Sequence, residues 1–202
     1  HRTSRFKTGG SMKRLIKLSF LTAALLFCLA FTVTAEERAA SNEEIAAVKS
    51  GQSTAYSWEN SGNHWKLLYL DVKGKSWKYA KDRWVQIGSR FYYFDGEGNA
   101  EEGWFRLEGK WYFAEYDSTM RNSETACVVR TGWASISNDR GRYHTFYFAT
   151  DKDGRPSGML QGDAGRYDAF TIDGREVYFD DQGYADTRTA PGDVQKFSGK
   201  RV

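Results

Sequence analysis

The chain has 202 residues, of which 16% are aromatic and 27% charged, and its 29 basic and 26 acidic side chains leave a net charge of +3. That length fits one domain or a short repeat array. So small a charge gives no electrostatic footprint for a nucleic-acid partner, despite the many aromatic rings.

The chain opens with His1 to Ser11, which carry no readable signal, and Met12 looks like a translation start. Met12-Lys13-Arg14-Leu15-Ile16-Lys17 is a positive segment. An apolar run from Leu18 to Val33 follows, then Val33-Thr34-Ala35 before Glu36. That order of charged, apolar and small residues is a secretory signal peptide, with cleavage most simply after Ala35. The competing reading is a retained membrane anchor, for which the run is short. A lipoprotein site at Cys28 is disfavoured by the bulk of Phe27. Residues 1–35 hold six basic residues and no acidic ones, so the processed chain has 167 residues, 23 basic against 26 acidic, and a net charge of −3. Its contact with a membrane would be through the signal peptide only. Processing also removes Cys28 and leaves Cys127 alone, with no internal disulfide to form. In the apolar run Ala126-Cys127-Val128-Val129, Cys127 reads as a small buried residue rather than a reactive thiol.

Residues 36–55 read as a linker or one short helix. Ser41, with Glu44 three positions on, has the pattern of a capping box ahead of Ile45-Ala46-Ala47-Val48, and Gly51 is a natural stop. So short a helix does not hold itself together in water.

From Tyr56 the pattern becomes strands, and it recurs to about residue 186. Trp58 and Trp65 lie seven apart with Gly62 between them. Trp77, Trp84 and Phe91 continue the step of seven, and Trp104 and Trp111 repeat it around Glu108-Gly109. Trp133 follows Gly132, but its matching ring is delayed to Phe146 by an insertion around Asn138-Asp139-Arg140-Gly141. Phe170 and Val177 flank Asp173-Gly174, the strongest hairpin signal in the chain. The leading aromatics Trp58, Trp84, Trp104, Trp133 and Phe170 are spaced by 26, 20, 29 and 37 residues. Periods of that size mark repeat architectures. A single hairpin is marginal in water, so each must bury its aromatic face on its neighbours. The predicted fold is all-β: a solenoid of β-hairpins over 56–186, with the possible short helix before it and a polar tail over 187–202. The same pattern also fits a compact antiparallel sandwich.

Gly103-Trp104-Phe105-Arg106-Leu107-Glu108-Gly109-Lys110-Trp111-Tyr112-Phe113 resembles the repeat of the choline-binding, or cell-wall-binding, family of Gram-positive surface proteins, which overlaps with glucan-binding repeats. The stretch from Trp84 to Gly103 resembles the same unit, with Phe91 in place of its second tryptophan and Arg83 in place of its leading glycine. The resemblance implies a hairpin solenoid that docks a secreted protein on the cell wall. Its ligands, such as the choline of teichoic acids or a cell-wall or extracellular glycan, would sit between successive hairpins among aromatic rings. A quaternary ammonium donates no hydrogen bond and is held by ring faces, each contributing about 0.5–2 kcal/mol. Carried over by motif, the binding residues are Trp84, Tyr93, Trp104, Trp111, Tyr112 and Trp133. The departures are the loss of the second tryptophan at Phe91, Phe146 and Val177, and the insertions after Trp111 and Trp133. In hairpin repeats the same rings also serve as core, each burying roughly 150–250 Å².

Catalysis finds little support. Only His64 and His144 remain after the leader, and the chain has no nucleophile elbow, zinc motif or phosphate loop. Asp151-Lys152-Asp153-Gly154 lacks the later glutamate of a calcium loop and reads as a turn. No catalytic residue, metal or cofactor is therefore assigned. The alternative to an envelope-binding module is a structural or adhesive repeat protein with degenerate sites that contacts another protein.

Overall fold

The computed structural model describes residues 16–18, 37–62, 64–116 and 125–199. The leader, the cleavage point after Ala35 and residues 1–11 otherwise lie outside the described residues. Strand β1 (Ile16–Leu18) pairs in parallel with the edge of β6 (Arg83–Ile87). Strand β2 (Arg38–Ala39) precedes helix α1 (Asn42–Lys49). β3 (Tyr56–Ser61), β4 (His64–Asp71) and β5 (Ser76–Tyr79) form with β2 a four-stranded sheet in the order β2-β5-β4-β3. The hairpin of β6 with β7 (Arg90–Phe94) follows, then that of β8 (Gly103–Leu107) with β9 (Lys110–Ala114). β10 (Gly132–Ser137), β11 (Tyr143–Thr150) and β12 (Pro156–Met159) form a meander. β13 (Asp168–Ile172) and β14 (Arg175–Phe179) make the last hairpin, and β15 (Lys196–Phe197) closes the chain. The result is a run of small sheets, each hairpin packed on the next, and not two sheets face to face.

The helix forms where the capping box places it. The Ser41 hydroxyl accepts from the Glu44 N–H at 3.2 Å, and the Glu44 carboxylate accepts from the Ser41 N–H at 2.8 Å. Arg38 adds a two-pronged ion pair to Glu44 at 2.5 and 3.0 Å, and Ile45 anchors the helix against Leu68, Leu70 and Trp77. The tight turns follow their glycines. Glu108 and Gly109 have φ of 50° and 82°, and Asp173 and Gly174 have 50° and 76°. Positive φ at both central residues is the turn whose twist matches that of the flanking strands.

A second turn recurs four times and ties the repeats together. Asp95, Asn138, Asp151 and Asp180 each occupy the first position of a five-residue loop. In each, one side-chain oxygen accepts the N–H groups two and four residues on, at 2.8–3.0 Å. The glycine three residues on donates its N–H to the carbonyl of that first residue in all four copies. After two of these turns the chain is held by two hairpins at once. Ala100 donates to the Trp65 carbonyl of the preceding hairpin at 2.7 Å, and Glu101 to Tyr93 of its own at 2.9 Å. Ala185 and Asp186 do the same with Thr145 and Tyr178, both at 2.8 Å. Val129 and Arg130, which follow a different loop, repeat the pattern with Phe91 and Phe113, both at 2.8 Å.

The core is correspondingly divided into aromatic clusters, mostly at the junctions between hairpins, and Tyr92, Phe94, Phe113, Phe148 and Phe179 are its largest fully buried side chains. Cys127 is buried as expected, its Sγ 3.2 Å from the Glu102 carboxylate. The residues read as a polar tail rejoin the fold. β15 pairs in parallel with β10, and Phe197 lies 6.1 Å from Phe113 with the Arg130 guanidinium 4.5 Å over its ring. One aromatic residue in a polar stretch is a weak signal, and only a vacant strand edge gives it a place.

Replacing Asp95 by Ala removes the side-chain acceptor of the Glu97 and Asn99 N–H groups. The expected loss is about 1–3 kcal/mol, read as a lower urea midpoint at unchanged slope. Glu44 gives a pH test. The Arg38 guanidinium, aided by the Ser41 N–H and opposed by burial, holds its carboxyl down to about 2. The unfolded chain therefore takes up this proton first, and the stability from Glu44 is lost as pH falls from about 4.5 towards 2. Glu44→Gln should flatten that part of the stability–pH curve.

Candidate functional site

The six residues carried over by motif do not form one site. Trp84, Tyr93 and Tyr112 meet at the junction of β6–β7 with β8–β9, the two tyrosine rings 5.2 and 5.3 Å from the indole. Phe105 stacks on both tyrosines, at 5.9 and 5.3 Å, and packs 6.4 Å from Trp84. Tyr93 and Tyr112 are buried, and burial, with the Glu108 charge adding to it, pushes the Tyr112 phenol up to about 12. The three rings expected to enclose a ligand here are packed against one another and against Phe105. Trp133 belongs elsewhere, with Tyr147 at 5.1 Å and Phe179 at 6.0 Å.

Trp104 and Trp111 stand edge to face at 6.5 Å in a third cluster. There Trp104 also meets Phe113, Phe146 and Phe148. This cluster opens at one side into a recess of about 200 Å³, lined by Trp104, Ile136, Asn138, Asp139, His144, Phe146 and Tyr184 among others. Its rings come from successive parts of the chain. Trp104 is on β8, His144 and Phe146 are on β11, and Tyr184 follows the turn begun by Asp180. Phe146 lies 4.9 Å from Trp104 and 5.4 Å from Tyr184, and the His144 ring stacks on Tyr184 at 3.9 Å and 14°. Burial, then the charge of Arg142, lower the His144 pKa against the pull of Asp180, so the imidazole is neutral at pH 7. Among the described residues, the one charged side chain lining the recess is Asp139.

Three ring faces, a neutral imidazole and a carboxylate at the rim make a place for a small organic cation or the apolar face of a sugar. The volume holds roughly six or seven waters' worth of ligand. Sequence reasoning placed Trp104 here and noted Phe146 only as a delayed strand partner. Tyr184 and His144 went unassigned. Tyr184 lies outside the tryptophan motif, although it directly follows the glycine of an Asp-x-x-Gly turn, and that position is its signal. Among the described residues, no group of three or more His, Cys, Asp or Glu side chains is arranged to hold a metal ion, and no helix is long and apolar enough to cross a membrane.

No family model matches the chain, and no curated protein matches it. Among solved structures it is similar to CbpJ from Streptococcus pneumoniae, with 23% identity over 69% of this chain and 38% of that one, at a TM-score of 0.42. It is similar to choline binding protein F from the same species, with 21% identity over 72% of this chain and 47% of that one, at 0.29. It is also similar to a pneumococcal cell-wall endolysin of phage Cp-1 complexed with choline, with 15% identity over 71% of this chain and 41% of that one, at 0.32. The chain spans under half the length of each.

The depressed His144 pKa has a direct check. Its ring protons should titrate below the ordinary 6.5 in an NMR pH series. Because the unfolded chain binds that proton more tightly, this group's contribution to stability falls as pH drops through 6.5. Tyr184→Ala, which removes the stacked ring, should move the His144 midpoint back towards 6.5.

Proposed function

We propose that the chain is a secreted, non-catalytic repeat protein associated with the cell wall, which takes choline or a glycan unit into the recess between β8–β9 and β10–β11. The observation that carries this reading is the convergence of Trp104, Phe146 and Tyr184, from three consecutive parts of the solenoid, on one open recess, with no fixed cation among the described residues of its lining. The choline of a teichoic acid would be held by cation–π attraction to these faces, with Asp139 supplying long-range attraction. A glycan would lay its C–H face on the same rings. Secretion rests on the leader, and the absence of any catalytic motif supports a binding role.

The test is intrinsic fluorescence of the protein titrated with choline and with soluble glucan. A saturable change is expected in the micromolar-to-millimolar range, roughly −8 to −4 kcal/mol. Tyr184→Ala should weaken it by about tenfold or more while the melting temperature stays close to the parent's. Choline binding should also weaken below pH 6.5, as His144 gains a positive charge beside the ligand, whereas a neutral glucan should be less affected. Silence towards choline, glucan and peptidoglycan, with retention on a protein, would favour the adhesive alternative. The ring packing at Trp84, Tyr93 and Tyr112 gives that alternative its support.

A further inference from the structure

In four hairpins the chain leaves the second strand, turns back and donates an N–H to a carbonyl of that strand. Glu101 donates to Tyr93, Arg130 to Phe113, Leu160 to Tyr147 and Asp186 to Tyr178, at 2.8–2.9 Å. The four acceptors are therefore equivalent positions. Strand register sets one residue opposite each of them, in order Trp84, Trp104, Trp133 and Ala169. In the first three the indole packs on the ring that faces it, at 5.2, 5.4 and 5.1 Å. Of these four hairpins only the last has alanine there, and Ala169 is exposed. Phe170, the aromatic residue that leads this hairpin in the sequence, is one position on and so lies on the opposite face, where it pairs with Val177 and packs 5.7 Å from Phe179. Tyr178 is left with a gap where its equivalents have an indole.

That gap is part of an open recess of about 350 Å³, lined by Tyr167, Tyr178, Asp186, Arg188 and Thr189, about a dozen waters' worth of space. Tyr167 precedes Ala169 by two positions, so it shares the face of Tyr178, and its side chain is exposed. The rim is fixed in place. Thr189 Oγ1 accepts the Tyr178 N–H at 3.3 Å and donates to the Asp186 carbonyl at 3.1 Å. The Asp186 carboxylate holds the Arg188 guanidinium through Nε, at 3.0 and 3.1 Å, and through Nη2. Nη1 lies outside this pair and remains to donate. A gap left by a ring, with tyrosine faces for walls and a held guanidinium and carboxylate at the rim, suits a ligand with an apolar face and a hydroxyl edge. A pyranose has both. Its C–H face lies on the rings, and its hydroxyls make charge-assisted hydrogen bonds to the rim. A quaternary ammonium has no donor or acceptor to offer that rim. We propose that this recess is a second binding site, for an uncharged pyranose unit of a glycan. Its residues are distinct from those of the Trp104 recess, so the proposal stands whether or not choline binds there.

Saturation-transfer NMR and titration calorimetry of the full chain with methyl β-D-glucopyranoside, cellobiose and choline test it. Saturable binding of one or both sugars is expected. Ala169→Trp restores the indole of the other three hairpins. It should abolish sugar binding at this recess, keep the melting temperature at or above the parent's, and leave any choline response unchanged. Arg188→Ala changes a largely exposed side chain and should weaken sugar binding by about tenfold. Tyr184→Ala should leave it intact. Sugar binding that persists undiminished in a folded Ala169→Trp variant or in Arg188→Ala overturns the proposal. So does sugar binding lost entirely in Tyr184→Ala, which would place the sugar at the Trp104 recess, and so does the absence of sugar binding up to tens of millimolar. Binding of N-acetyltryptophanamide in place of the sugars also overturns it, because the gap would then be a seat for a partner's aromatic side chain.

Discussion

The structure depends on a few residues that are hydrogen-bonded to two hairpins at once. Ala100, Val129 and Ala185 each donate to the preceding hairpin, and the next residue donates back to its own. An isolated hairpin has too little apolar area to offset its lost chain entropy. These doubly held segments fix the spacing and rotation between neighbours, so that each hairpin's rings can close on the next. Two of the three follow an Asx turn, begun by Asp95 or Asp180, whose carboxylate gathers two backbone N–H groups. Small side chains are required at the crossing, where Ala100, Val129 and Ala185 are buried.

Once the spacing is fixed, aromatic rings do two different jobs with the same residue types. At the β6–β7/β8–β9 junction, Phe105 fills the interval beside Tyr93 and Tyr112. At the Trp58 and Trp104 junctions a comparable indole-to-ring contact leaves a recess at its side. The difference lies in neighbouring residues. In the Trp104 case the inserted loop at Asn138–Arg142, the ring of Tyr184 and Gly199 of the closing segment wall the recess. The chain thus uses much of its aromatic surface for cohesion, while recesses remain beside Trp58 and Trp104.

Strand register carries the same positions from one hairpin to the next. Ile87 faces Arg90 three positions after Trp84 faces Tyr93, and Ile136 faces His144 three positions after Trp133 faces Tyr147. The ring geometry beneath is therefore repeated while the residue at the rim changes. Such variation suits a repeat array, in which each junction is structurally independent of the next but one.

The sequence alone determined the hairpins, because the step of seven between rings and turns such as Glu108-Gly109 and Asp173-Gly174 are local signals: positive φ and strand alternation act within ten residues. It also determined the capped helix, since the Ser41–Glu44 box is a contact three residues long. Trp104 was legible as a candidate because it lies in the motif. Its partners Tyr184 and His144 were not, since they come from 80 and 40 residues further on, across an insertion that breaks the period. The packing of Phe105 against Trp84, Tyr93 and Tyr112 was equally out of reach. Phe105 sits next to Trp104 in sequence and, on a strand, faces the other way, and only the stacking of hairpins decides which gap its ring fills. The docking of Phe197 depended on an unpaired edge of β10 that exists only in the assembled sheet. Local backbone chemistry wrote the repeats; which rings enclose space and which fill it was decided by the contacts between them.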